Sequence, residues 1–257
     1  MKSQQRRFFK LIKYQEALSR MQKAIPNRVL EDEKIRSIIS LGRVLAEDIT
    51  AERALPDHDF AAMDGYAVKN QNIQNASVNN PIKLNIKGEL FPPDHPTKAS
   101  IADYEAIYVA CGAPIPNGAD AVVKVEFTRR EKEGIIVMKP IEKYRNIAQI
   151  GEEVKKNEIV LSKGRIIRSQ DIGLLVALNR EFVKVITKPK VAIISIGDEL
   201  AEPFGTPSNK TVNNNAYIIS SLVEYFNAEP IILGIAKDNM DTIKQMVQSG
   251  LDKADIV

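Results

Sequence analysis

Cysteine is nearly missing from this chain: Cys111 is the only one in 257 residues, so no internal disulfide can form and no cysteine-based zinc cage is available. Histidine is almost as scarce, and His58 and His95 are too few and too scattered for a catalytic or zinc assembly. There is no glycine-rich phosphate loop and no nucleophile elbow, which removes the common nucleotide-hydrolase and serine-hydrolase signatures. Charge of one sign is lacking too. With 36 basic against 33 acidic residues the net charge is +3, which implies no pull toward nucleic acid. No apolar run approaches the roughly 20 residues of a membrane span. The basic start, Lys2 to Lys13, is broken by lysines and cannot form a signal-peptide core. It reads as a ragged terminus leading into a helix, with a membrane-surface role as the lesser alternative. A soluble chain in a reducing cytoplasm is the expectation.

What is present is an ordinary globular balance, 44% hydrophobic and 27% charged, in a length that allows more than one domain. Tyr14, Ala17, Leu18, Met21 and Ile25 recur at helical spacing, and a second helical pattern runs through Ile38, Leu41 and Leu45 to about Asp48. From about residue 51 to 145 the texture becomes short apolar runs punctuated by Gly112, Pro114, Pro116, Gly118 and Gly134, the pattern of a small mostly-β domain. Residues 71–80, rich in Asn and Gln, read as a loop. Between 146 and 187, Ile159-Val160-Leu161 predicts a strand, Lys163-Gly164 a turn, and Ser169 the cap of a helix with Asp171 in its first turn; Phe182 to Ile186 predicts another strand. This stretch is expected to dock on the early helices. The predicted organisation is a discontinuous helical linker domain (1–50 and 146–187), an inserted mostly-β domain (51–145), and an α/β domain (188–257).

In the last part, Val191 to Ile194 and Pro230 to Ile235 alternate with helical stretches Tyr217 to Phe226 and Met240 to Ser249, which implies a parallel sheet. A third strand begins at Asp255 as the chain stops, as expected of a fragment.

The candidate site residues lie on turns. Asp64 precedes Gly65, which a simple turn explains; the functional reading is a carboxylate held rigidly at a cleft. Gly197, Asp198 and Glu199 follow a predicted buried strand, and open α/β sheets bind ligands beyond the carboxyl ends of their strands. Gly197 allows close backbone approach, and the adjacent acids are hard ligands suited to Mg²⁺, although a solvated turn accounts for them equally well. Asp238 holds the equivalent place after the next strand. Asn213, Asn214 and Asn215 precede a helix and read either as caps or as amides for a base or phosphate. Cys111, ahead of Gly112, reads as a small buried hydrophobe, with no neighbour to activate it as a nucleophile.

Four stretches together resemble the MoeA-like molybdopterin molybdotransferases, related to the E domain of gephyrin. They are Leu41 to Asp48, Ala62 to Val68, Gly112 to Pro116 with Gly118 to Val123, and Gly197 to Leu200, in the family's order. The resemblance implies a linker, an inserted β domain and a molybdopterin-binding α/β domain, assembled as a homodimer. It also implies insertion of molybdate into adenylated molybdopterin with Mg²⁺ and release of AMP, downstream of a molybdopterin adenylyltransferase. It makes Asp64, Asp198 and Glu199 catalytic, puts Cys111, Gly112, Gly197, Asn213, Asn215 and Asp238 at the cofactor, and gives Asp198, Glu199 and Asp238 to the metal, all in one cleft. The chain departs from the family at Cys111 and Ile196, where threonines are usual. It departs again at Asn146 to Glu153, where arginines are expected, and at Asn213-Asn214-Asn215, where the family has Asp-Ser/Thr-Asn. The family's following glycine-serine loop and C-terminal β domain are also absent from the sequence, so the chain is expected to bind the pterin weakly and fail to insert molybdate. A dimeric scaffold without chemistry is the alternative; a pterin- or nucleotide-binding domain of another pathway would leave the matches before residue 125 unexplained.

Overall fold

The structure, a computed structural model, describes residues 12–24, 30–93, 98–204 and 209–257. The basic start as far as Leu11, Ile25 and His95 lie outside them. The chain forms two compact units, residues 34–185 and residues 1–33 with 186–257.

The larger unit is built on a six-stranded sheet whose order is Ala121–Lys124, Gly65–Val68, Glu105–Val109, Ile82–Leu90, Gly134–Val137 and Thr128–Arg130. Only the Ile82–Leu90 and Glu105–Val109 pair is parallel. Strand side chains alternate between faces, and here both faces are apolar. Tyr66, Val68, Leu84, Ala106, Ala121, Val123, Ile135 and Val137 enter one core cluster. Ala67, Ile107, Val109 and Val122 enter another with Ala61, Ala113 and Ile147. That is why Ala121-Val122-Val123 is apolar without a break. The Asn- and Gln-rich stretch opens with one short helix, Asn70–Ile73, which anchors buried Ile73, rather than being loop throughout.

Gly65 marks the tightest approach in this sheet. A Cβ there would stand 2.3 Å from the backbone oxygen of Val123, which cannot move without displacing the next strand. Gly65→Ala is therefore expected to cost about 1–3 kcal/mol by overpacking, read as a lower urea midpoint at unchanged slope. An unshifted midpoint would contradict this packing.

The second N-terminal helix is not formed. Residues 30–50 hold the strand Asp32–Arg36, a 3₁₀ turn at Ser37–Ile39 and the strand Ile49–Thr50. Of the helical-looking positions only Leu45 is buried, while Ile38 and Leu41 are exposed. The backbone bonds go to distant partners instead: Gly42 N–H to Ile167 O and Leu45 N–H to Arg165 O. Ile49–Thr50 pairs antiparallel with Ile159–Leu161, and single bridges link Val44 to Ile166 and Leu45 to Val185. Residues 146–187 thus pack on an extended segment, not on paired helices, around Leu45, Ile49, Leu161, Ile167, Leu175, Val183 and Val185. Ser169 is the first residue of the helix Ser169–Ala177, and Arg168 takes the cap position.

In the smaller unit, Lys190–Ile196 and Glu229–Ala236 pair in parallel, with Ile196 opposite Ala236. A parallel bridge from Val191 to Ile256 adds the start of a third strand. Helices Asn215–Tyr225 and Met240–Lys253 supply the crossovers. Helix Tyr14–Ala24 buries none of its residues. No helix among the described residues is long and apolar enough to cross a membrane.

Candidate functional site

At the carboxyl end of Lys190–Ile196 the chain turns through Gly197, whose φ of 150° disfavours any side chain. Its N–H bonds Ala236 O at 3.1 Å, tying the ends of the two parallel strands together. A Cβ on Gly197 would lie 2.5 and 2.6 Å from the two carboxylate oxygens of Glu199, so the glycine leaves the space that this carboxylate fills. Asp238 Oδ2 accepts the backbone N–H of Asp198 at 3.4 Å, and Lys210 Nζ donates to Asp198 O at 2.7 Å. Gly197 is buried, while Asp198, Glu199 and Asp238 are exposed. Both acid-bearing turns therefore sit side by side at one end of the sheet, where such sheets bind ligands.

Behind them lies Asn213, only 3% exposed. Its Oδ1 accepts from Ser195 Oγ at 2.8 Å, and its Nδ2 has no partner. An unpaired buried amide costs on the order of 1–3 kcal/mol, so this donor is poised for an acceptor. The asparagines are not side-chain caps: Asn214 occupies the cap position without a capping bond, and Asn215 begins the helix. Tyr217 donates to Glu202 Oε2 at 3.2 Å, and burial, reinforced by that bond, pushes its phenol above the ordinary tyrosine value. Ser195 and Lys210 carry no sequence signal, since their roles depend on partners brought together by folding.

Among the described residues no three of His, Cys, Asp and Glu converge as a metal cage. An open set of this kind still fits Mg²⁺, which takes one or two protein carboxylates and completes its shell with phosphates and water.

In the larger unit, Asp64 Oδ1 accepts the N–H of Cys111 at 2.7 Å, while Gly112 N–H bonds Ala61 O at 2.7 Å. The Asp64 turn and the Gly112 loop are thereby fastened together, with Gly112 at φ 84°. Cys111 is exposed rather than a buried hydrophobe, its Sγ 3.5 Å from Ala62 O. Burial raises the Tyr108 phenol, and the Asp64 charge adds to that shift. The stretch lacking arginines is held by acids: Ile150 N–H bonds Asp59 at 2.7 Å and Gln149 N–H bonds Glu152 at 3.0 Å. The structure thus brings together Asp64, Cys111 and Gly112 in one unit, and Gly197, Asp198, Glu199, Asp238 and Asn213 in the other.

Comparison with known proteins finds two matching families along the chain. Residues 12–179 match the family described as MoeA N-terminal region (domain I and II), and residues 192–257 match the probable molybdopterin binding domain. A molybdopterin molybdenumtransferase of Staphylococcus aureus is 36% identical over 219 residues, covering 85% of this chain and 52% of that protein. One from Staphylococcus epidermidis is 33% identical over the same shares of each. The chain thus spans about half the length of the curated relatives it matches. A crystal structure of the molybdopterin biosynthesis MoeA protein from Pyrococcus horikoshii OT3 superposes with a TM-score of 0.88 at 39% identity, over 96% of this chain and 66% of that one. Another structure, described as a molybdopterin biosynthesis MoeA protein from Pyrococcus horikoshii, gives 0.83 at 28% identity, over 96% and 63%.

Proposed function

The chain belongs to the MoeA family, and on that premise we propose that it acts in molybdenum cofactor biosynthesis, as a molybdopterin molybdotransferase that inserts molybdate into adenylated molybdopterin and releases AMP. The observation that carries this reading is the paired acid turns, Gly197-Asp198-Glu199 and Asp238, at the ends of two parallel strands beside a buried amide lacking an acceptor. Asp198, Glu199 and Asp238 would hold Mg²⁺, which supplies charge neutralisation for the substrate phosphates. Asn213 Nδ2 would donate to a substrate oxygen, with Ser195 fixing the amide plane. Asn215 and the Cys111-Gly112 turn are assigned to cofactor binding, and Asp64, fastened by the Cys111 N–H, to the chemistry.

A scaffold without chemistry is not favoured, because the curated relatives are named as transferases. We assign the protein to the cytoplasm, receiving its substrate from a molybdopterin adenylyltransferase. A homodimer is part of the same proposal, supported by helix Tyr14–Ala24, which leaves Leu18 and Met21 exposed. Light scattering at micromolar concentration should give twice the monomer mass; a clean monomer contradicts that assembly.

Incubation with adenylated molybdopterin, Mg²⁺ and molybdate, with AMP as the readout, tests the function. Molybdate-dependent AMP release is expected to be absent or far below that of a curated relative. Ala148-Gln149-Ile150 offers an oxyanion no cation, and acids hold the neighbouring backbone. Absence of any Mg²⁺-dependent binding of adenylated molybdopterin would overturn the transferase reading, and AMP release matching the relative would overturn this account of the missing arginines.

A further inference from the structure

Beside the β-sheet of the larger unit, the end of strand Ala121–Lys124 and the segment 139–146 enclose a groove of about 510 Å³. Lys124, Lys139 and Arg145 line it against the single carboxylate of Glu142, with Val123, Phe127 and Ile141 as apolar wall. Among the described residues neither Lys124 nor Arg145 has an ion-pair partner. Lys143 next door is satisfied, 3.9 Å from Asp120 and over the Tyr144 ring. Lys139 rests on Phe127, its Nζ 4.7 Å from the ring centre, which holds that ammonium at the groove.

The backbone around Arg145 is fixed with some strain. Tyr144 and Asn146, on either side of it, both adopt positive φ, 64° and 60°. Non-glycine residues in that region cost on the order of 1–2 kcal/mol and persist only where surrounding contacts demand them. Those contacts are Tyr144 N–H to Asp120 O at 2.6 Å, Val122 N–H to Arg145 O at 3.2 Å and Asn146 Nδ2 to Val122 O at 2.8 Å. The turn is thus fastened to the same strand that carries Lys124. Three cations facing a single carboxylate leave a positive excess, and an anion bound among them relieves their repulsion.

We propose that this groove is a binding site for a small multiply charged oxyanion, either the phosphate of a phosphorylated small molecule or a free tetrahedral oxyanion. The groove belongs to the larger unit and the acid-bearing turns to the smaller, and its test needs no turnover, so it stands or falls apart from the transferase reading.

Pyrophosphate is the probe. Titrated at low salt into the ¹⁵N-labelled chain, it should shift the amide signals of residues 122–127 and 139–146 saturably. Lys124→Gln and Arg145→Gln should each weaken that binding about tenfold, as expected for losing a charge-assisted contact, while Lys143→Gln leaves it nearly unchanged. Displacement by AMP would assign the site to phosphate esters; displacement by orthophosphate or molybdate but not by AMP would assign it to free oxyanions. Absence of saturable shifts in the wild-type chain, or equal weakening by Lys143→Gln, would overturn the proposal and reduce the groove to diffuse surface charge.

Discussion

Asp171→Ala should cost about 2–4 kcal/mol of folding stability, among the largest effects of any single polar substitution in the larger unit. Asp171 is only 4% exposed. Its carboxylate accepts Arg165 Nε and Nη2 at 3.2 and 3.0 Å, Arg168 Nε and Nη2 at 3.2 and 3.4 Å, and the Arg168 backbone N–H at 2.9 Å. It therefore closes the first turn of helix Ser169–Ala177, placing negative charge where the helix dipole favours it. That helix brings Leu175 into the core with Leu45 and Ile49. The two arginine side chains remain 37% and 55% exposed and stay hydrated without their partner, which keeps the cost below that of stranding a fully buried charge. Asp171→Asn keeps an acceptor for the backbone N–H and should recover part of the loss. Urea denaturation of both variants reads this directly; equal midpoints for wild type and Asp171→Ala would contradict it.

A second large effect is expected in the smaller unit, on ligand affinity rather than stability. Asp198→Asn combined with Glu199→Gln should weaken Mg²⁺-dependent binding of adenylated molybdopterin by at least about 10–100-fold, the range seen even for residues one shell further from a metal. Both side chains are exposed, so the fold should be unchanged and the thermal midpoint nearly so. Gly197→Ala gives an independent route to the same loss. Its new methyl would occupy the space of the Glu199 carboxylate, at the flexible end of a side chain, and so would displace the acid while keeping it. Binding by Gly197→Ala at wild-type affinity would show that the position of Glu199 does not matter.

The sequence made the sheets legible because burial there obeys a local rule. Ala121-Val122-Val123 and Val191 to Ile194 are apolar on consecutive positions and lie between turn-forming residues, as a strand covered on both faces requires. The turn at Gly197 was legible for a similar reason, a glycine and two acids directly after such a run. Residues 30–48 misled because Ile38, Leu41 and Leu45 share a helical spacing but not a common burial. The bonds that hold Gly42 and Leu45 run to Ile167 and Arg165, more than a hundred residues on. The Ser195–Asn213 bond and the Lys210 contact with Asp198 are invisible for the same physical cause. They are tertiary contacts, and no periodicity announces them. Cys111 shows the limit of residue averages: cysteine is usually buried, but this one sits on a turn pinned by Asp64.

The central claim is that the acids at the ends of Lys190–Ile196 and Glu229–Ala236 hold Mg²⁺ against the phosphates of adenylated molybdopterin. Pterin fluorescence, followed as the chain is titrated into that ligand with Mg²⁺ and again with a chelator, tests it most directly. The account predicts at least about tenfold tighter binding with Mg²⁺, as differential metal bridging requires, and no such gain in the Asp198→Asn, Glu199→Gln chain. Equal affinity with Mg²⁺ and with the chelator would contradict it.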